Sequence, residues 1–260
     1  LCRGGLVKIR RLTPENLADV YCCVGDRKKL FETEISEALT HLRGKLEHGW
    51  LAYAIYGGGK TPIGMAILVP PSDPLSPIAG EGVYYLHCMD INKEFRKQGI
   101  GAEVAQKLSD DVKALGGKGL AVDCYGDYWM PCAFFRKQGF EEVRDYSFHS
   151  LLLKKINEDA EAEYVETSYR GDLPESGIQV DIQHPVTCPF MIHNFRSAKN
   201  IVRRLEPKAE LRERTISTKE DVEGWGGAGL YVNGRLVSAG PVDEERLRKA
   251  FEEAKQREVR

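Results

Sequence analysis

Arg96-Lys97-Gln98-Gly99-Ile100-Gly101 is the stretch on which the reading of this chain turns. The apolar run Val83 to Ile91 leads into it and predicts a strand, and Ala102 to Leu115 predicts an amphipathic helix leaving it. Gly116-Gly117 then stops the helix as a C-cap signal. Glycine at 99 and 101 lets the backbone approach a ligand closely. Amides at the start of a helix point outward without partners, and the helix dipole favours negative charge there. Arg96 and Lys97 add positive charge, so a pyrophosphate is the natural occupant.

Two common phosphate turns are excluded. A dinucleotide fingerprint needs a third glycine where Val104 stands. A P-loop needs Gly-Lys-Ser/Thr, which the turn lacks. Working towards the N-terminus, Trp50 to Tyr56 and Pro62 to Val69 flank a Gly57-Gly58-Gly59-Lys60 turn and predict a hairpin. Pro70 to Gly80 predicts a loop. A helix is expected over about Leu30 to His48, another from Thr13-Pro14 to about Val24, and a strand over Val7 to Leu12. Towards the C-terminus, Leu120 to Cys124 predicts a central strand and Pro131 to Lys137 a short helix stopped by Gly139. Phe140 to Val143 and Phe148 to Ile156 predict the last strands of the unit.

The turn and this order of elements resemble the GNAT acetyltransferases over about 150 residues, whose signature is Arg/Gln-x-x-Gly-x-Gly/Ala. Phe134-Phe135-Arg136-Lys137-Gln138-Gly139-Phe140 is similar to the family's closing aromatic pair and Gly-Phe. The resemblance implies acetyl-CoA (CoA) as donor, with pantetheine between splayed strands at Val83–Ile91 and Leu120–Cys124. It implies backbone contacts from Met89 and Ile91, cofactor binding by the turn Arg96, Lys97, Gln98, Gly99, Ile100, Gly101, Ala102 with the pyrophosphate held by the amides of Gln98, Gly99, Gly101 and Ala102, and Phe134 and Phe135 flanking the CoA arm.

Acetyl transfer needs a base for the acceptor ammonium and an acid for the leaving thiolate. The family often places a Tyr acid where Phe135 stands here, which makes Tyr128 the first replacement and Cys132 the second. The family's occasional Glu base corresponds to Tyr85. Strand alternation puts Tyr85, His87 and Met89 on one face, and His87 has the one side chain there that titrates near neutrality unperturbed. The expected reaction is direct attack of an amine on acetyl-CoA through a tetrahedral intermediate. Orientation supplies much of the rate, and backbone amides of the central strand stabilise the oxyanion.

Beyond Ile156 the pattern restarts. Asn157 to Ser176 is acidic and reads as a linker. Strand (178–183), helix (190–205), strand (211–216), a Gly-rich bend (224–229), a hairpin turning at Asn233-Gly234 and a helix (244–253) follow. That order resembles a short thioredoxin/glutaredoxin fold, with Thr187-Cys188-Pro189-Phe190-Met191 where redox relatives carry Cys-Pro-aromatic-Cys. Met191 replaces the second cysteine, and Gly227-Ala228-Gly229 replaces the cis-proline segment. A helix N-terminus would favour a thiolate at Cys188. The whole resembles the YoaP-like group of prokaryotic acetyltransferases.

The expected fold class is therefore α/β (α+β): a GNAT domain over residues 1–156 with a mixed, mostly antiparallel sheet, an acidic linker over 157–176, and a thioredoxin-like domain over 177–260. The formal charge of −2, from 37 Lys+Arg and 39 Asp+Glu, gives no general attraction to nucleic acid or membrane. The first residues carry no signal-peptide stretch, so a cytoplasmic protein with seven reduced cysteines and no metal site is expected. The expected acceptor is a small-molecule or peptide amine. Two rivals stay open: a thiol or soft-metal module using Cys188 and the cleft cysteines, and a CoA-binding protein with weak catalysis. Oligomeric state is not encoded in any readable pattern.

Overall fold

The structure, a computed structural model, describes residues 7–73, 78–126, 129–146, 149–164 and 169–258. It divides into two compact units, one of Leu1–Gly25 with Leu42–Val165, the other of Asp26–His41 with Glu166–Arg260. Among the described residues no helix is long and apolar enough to cross a membrane.

In chain order the first part comprises β1 (Lys8–Arg11), α1 (Glu32–Glu47), β2 (Leu51–Tyr56), β3 (Pro62–Val69), β4 (Ile78–Ala79), β5 (Val83–Ile91) and α2 (Ile100–Ala114). It continues through β6 (Gly119–Cys124), α3 (Cys132–Lys137), β7 (Glu141–Asp145), β8 (Ser150–Lys155) and β9 (Glu163–Tyr164). Seven strands form one sheet in the order β1-β2-β3-β5-β6-β8-β7, and β4 pairs with β9 apart from it. The pair β5–β6 is parallel and needs the α2 crossover; the other pairs are antiparallel.

Helix α2 buries Ile100, Val104, Leu108 and Val112, one helical stripe, against Leu86, Leu120 and Val122 of the central strands. Full burial of such side chains contributes roughly 2 kcal/mol each. The helix stops at Gly116 (φ +77°), with Gly117 N donating to Val112 O (2.9 Å) and Gly116 N to Lys113 O (3.0 Å). Helix α3 stops the same way at Gly139 (φ +83°), which seats Phe140 against Phe135 with ring centroids 5.3 Å apart.

Local features depart from the sequence expectations, β4 among them, since it lies in the expected loop Pro70 to Gly80. Leu17–Lys29 is 3-10 in character, with non-helical dihedrals at Tyr21 and Gly25, rather than an α-helix to Val24. Its apolar spacing is helical, yet Tyr21-Cys22-Cys23-Val24-Gly25 holds no strong helix former. The acidic stretch after Ile156 is more than a connector: Ala160 is buried, and β9 pairs with β4, Tyr164 opposite Ile78. The front of the strand expected from Phe148 lies outside the described residues, and β8 itself begins at Ser150.

The second unit holds β10 (Gln179–Pro185), α4 (Pro189–Leu205), β11 (Glu210–Ile216), α5 (Lys219–Trp225), β12 (Gly229–Val232), β13 (Arg235–Ser238) and α6 (Glu244–Glu258). Its sheet runs β11-β10-β12-β13, with β10–β11 parallel and the other pairs antiparallel. Asn233 (φ +45°) and Gly234 (φ +75°) make the hairpin turn in the left-handed region the Asn-Gly pair predicts. Helix α5 occupies part of the expected Gly-rich bend. Thr218 Oγ1 accepts from Asp221 N (3.1 Å) while the Asp221 carboxylate accepts from Thr218 N (2.9 Å), a complete capping box. The core is Val180, Ile182, Phe195, Ala198, Val202, Leu230, Leu247 and Phe251.

Candidate active site

The turn sits at the end of β5 and the start of α2. Gly99 is left-handed (φ +83°), and a Cβ built on it would meet nothing within 4 Å, so the space before it is open. A Cβ on Gly101 would lie 3.1 Å from the Phe134 ring, so glycine lets that ring close over the helix start. Lys97 is also left-handed (φ +63°). Ala102 N donates to Gly99 O (2.9 Å), so its amide is engaged, and the outward amides are those of Gln98 to Gly101. Ile100 contributes backbone alone, because its side chain is buried. Arg96 braces the strand end, Nε donating to Ile91 O (2.6 Å) and Nη2 to Asp90 Oδ1 (2.9 Å), while its side chain stays half exposed. Burial holds the Asp90 carboxyl above its usual range, against the pull of Arg96.

Strands β5 and β6 pair from Val83–Gly119 to Leu86–Val122 and then part. Strand β5 continues to Ile91 along β3, and among the described residues no strand pairs with its other edge there. The cause is visible in the register with β3: Ile67 faces Cys88 and Leu68 faces Leu86, so His87 is an inserted bulge residue. A bulge bends its strand and raises the local twist. It also shifts the alternation. Tyr84, Leu86, Met89 and Ile91 pack into the core under α2, whereas Val83 and Tyr85 pack on the opposite face. The expectation that Tyr85, His87 and Met89 share one face is thus corrected. His87 lies near Tyr85 and Trp50, ring centroids 6.1 Å away in each case.

Where the strands part, β6 carries Asp123, 6% exposed. The Tyr85 hydroxyl donates to its carboxylate, and Oδ1 is buried with no hydrogen-bond partner among the described residues. Burial pushes the Asp123 carboxyl up to about 7, against the lowering effect of Tyr85. Burial, and then the Asp123 charge, raise the hydroxyls of Tyr125 and Tyr164. Tyr146 stacks on His149 (4.8 Å, 9°) and meets Tyr164 at 4.9 Å, while Tyr125 lies 6.0 Å from His149. The sequence reading passed over Asp123. Its signal was a lone carboxylate inside Leu120-Ala121-Val122-Asp123-Cys124, where burial on both faces was expected.

The remaining candidates separate. Phe134 is partly buried over Gly101, but Phe135 is fully buried in the core, so its role is packing rather than flanking a ligand. Cys132 is disulfide-bonded to Cys124, which removes it as an acid and corrects the expectation of reduced thiols for this pair. The end of β6 and the start of α3 bring the two Cα atoms to 4.9 Å, within bonding range. Tyr128 lies outside the described residues. In the second unit Cys188 is the N-cap of α4. Burial pushes its thiol up, although the amides of Met191 and Phe190 point at the sulfur, so the thiolate expected from the helix N-terminus is not favoured.

Residues 20–140 match the model of the acetyltransferase (GNAT) family. The chain is 23% identical over 241 residues to the uncharacterized N-acetyltransferase YoaP of Bacillus subtilis (strain 168), covering 87% of this chain and 91% of that protein. Among solved structures, an acetyltransferase of the GNAT family from Staphylococcus aureus Mu50 is 13% identical with a TM-score of 0.46, over 58% of this chain and 100% of its own. PaiA N-acetyltransferase from Thermoplasma acidophilum, in complex with coenzyme A, is 15% identical with a TM-score of 0.42, over 58% and 99%.

Proposed function

We propose that this chain, whose residues 20–140 match the acetyltransferase (GNAT) family, is an N-acetyltransferase that moves the acetyl group of acetyl-CoA directly to a small-molecule or peptide amine. The observation that carries the reading is the parting of β5 and β6 beyond Leu86–Val122, beside the open Gly99 turn at the N-terminus of α2. A thioester arm fits the unpaired edge of β5 at Met89; at Ile91 the carbonyl is held by Arg96 and the amide by the Asp90 carboxylate, so a contact of the arm there replaces one of these bonds. The amides of Gln98, Gly99, Ile100 and Gly101 and the helix dipole suit its pyrophosphate, with Lys97 adding charge. Phe134 covers the helix start. Arg96 serves by holding the end of β5 in place. Acetyl-CoA supplies the activated acyl group; the chain supplies position, and Tyr85 and His87 stand on the face opposite α2 where an acceptor would arrive. Tyr128 remains the proposed acid.

For the second unit a thioredoxin-like plan is supported by the strand order β11-β10-β12-β13 and by Cys188 preceding α4. Cys188 is half-buried and Met191 stands where a resolving cysteine would, which supports a packing role.

Calorimetry of the full chain with acetyl-CoA tests the central reading. Micromolar or tighter binding is expected, weakened at least about tenfold by Gly99→Asp, which sets a carboxylate before the anion-facing amides. No heat with the unaltered chain would overturn the assignment.

A further inference from the structure

We infer that the Asp123 carboxylate, with the rings of Tyr85, Tyr125 and Tyr164 about it, seats the acceptor's ammonium and takes its proton, which makes the acceptor a primary monoamine with an apolar or aromatic body. The inference rests on the acetyl-transfer reading above and narrows it. Asp123 lies one residue past the last β5–β6 pair, at the mouth of the split where a thioester would emerge. It is nine-tenths buried and keeps Oδ1 unpartnered among the described residues, while Tyr85 holds the carboxylate by a hydrogen bond. A buried carboxylate with an unfilled oxygen is costly unless a cation or donor meets it in use.

The groups around it define the guest. Strand β5 presents Tyr85 and His87, the end of β6 presents Tyr125, the β7–β8 turn presents Asp145, Tyr146 and His149, and β9 presents Tyr164. Asp145 accepts the Ser150 hydroxyl (3.1 Å) and acts on His149. Aromatic faces attract one ammonium and cover apolar surface. A polyamine or lysine-rich tail would need several carboxylates facing the site. In the step, the ammonium gives one proton to Asp123 and the freed nitrogen forms its bond to the acetyl carbon. The carbon–sulfur bond breaks, the departing thiolate takes its proton from the acid of the acetyl-transfer reading, and the second proton on nitrogen restores that acid. Asp123 then returns its proton to water. Its raised carboxyl suits that exchange near neutral pH.

Phenethylamine and spermidine are titrated calorimetrically into the full chain and the Asp123→Asn variant, with and without CoA. Phenethylamine should bind the parent about tenfold tighter near pH 8 than near pH 6, as Asp123 ionises while the amine stays charged. The variant should bind it at least about tenfold more weakly near pH 8, with the pH dependence gone. Spermidine should bind more weakly than phenethylamine. Phenethylamine binding that ignores the substitution, absent phenethylamine binding, or a preference for spermidine each overturns the inference. CoA binding read in the same cells keeps the two readings apart: CoA bound without phenethylamine sinks this one alone, and no CoA binding sinks the acetyl-transfer reading on its own terms.

Discussion

Asp123 shows what one side chain costs the fold. Its carboxyl is held at about 7 by burial, against an ordinary value of 3.8, so the folded chain binds this proton more tightly than the unfolded chain. The stabilising contribution is complete below the unfolded value and is lost as pH rises through the folded one, between about 4 and 7. Relative to Asp123→Asn, the parent should lose roughly 2–3 kcal/mol of stability between about pH 5 and pH 8. Urea unfolding of both proteins at the two pH values measures this, and parallel pH profiles would show that water reaches the carboxylate.

Elements are decided by local chemistry and by partners, and the two differ in what a sequence reveals. Helix α5 is local: Thr218 and Asp221 cap each other, and Asp221 also accepts from the Ser217 amide (2.8 Å) and hydroxyl (2.9 Å). Thr218→Ala should cost about 1 kcal/mol in denaturant unfolding, and an unchanged midpoint would mean that α5 is held by its packing alone. The cap was legible in Ser217-Thr218-Lys219-Glu220-Asp221, but Gly224, Gly226 and Gly227 drew the reading towards a bend. Strands β2, β3, β5 and β6 and helices α2 and α4 were legible because apolar periodicity and glycine stops mark them. The bulge at His87 was not, because one inserted residue leaves composition unchanged and exists only against the register of β3. So the phosphate turn could be read from residues in sequence, while the faces of β5, and with them the neighbourhood of Asp123, needed the sheet. The bond between Cys124 and Cys132 was hidden likewise, since it follows from where β6 ends and α3 begins.

At the scale of the molecule each unit has a core of its own, and the second is pinned by one buried carboxylate. Asp181, fully buried on β10, accepts from Tyr169 Oη (2.8 Å), Gln179 Nε2 (2.7 Å), Arg212 Nε (3.0 Å) and Arg214 Nη1 (2.8 Å). Arg214 also lies 3.9 Å from the Trp225 ring centroid. The network ties Tyr169, from the stretch read as a linker, to β10, β11 and α5. Replacing Asp181 by Asn keeps the shape and removes the charge, leaving two guanidinium groups facing a neutral amide. Removing one partner of a buried ion pair costs about 3–5 kcal/mol, and the lower end applies because Arg212 and Arg214 keep 24% and 20% of their side-chain surface in water. Hydrogen exchange in Asp181→Asn should therefore quicken by more than about tenfold at amides of β10, β11 and β12, and stay unchanged at β5 and β6, which draw on the other core. Unchanged exchange in β10 would mean that the arginines turn to water without penalty, so that the carboxylate orders them rather than holding the sheet.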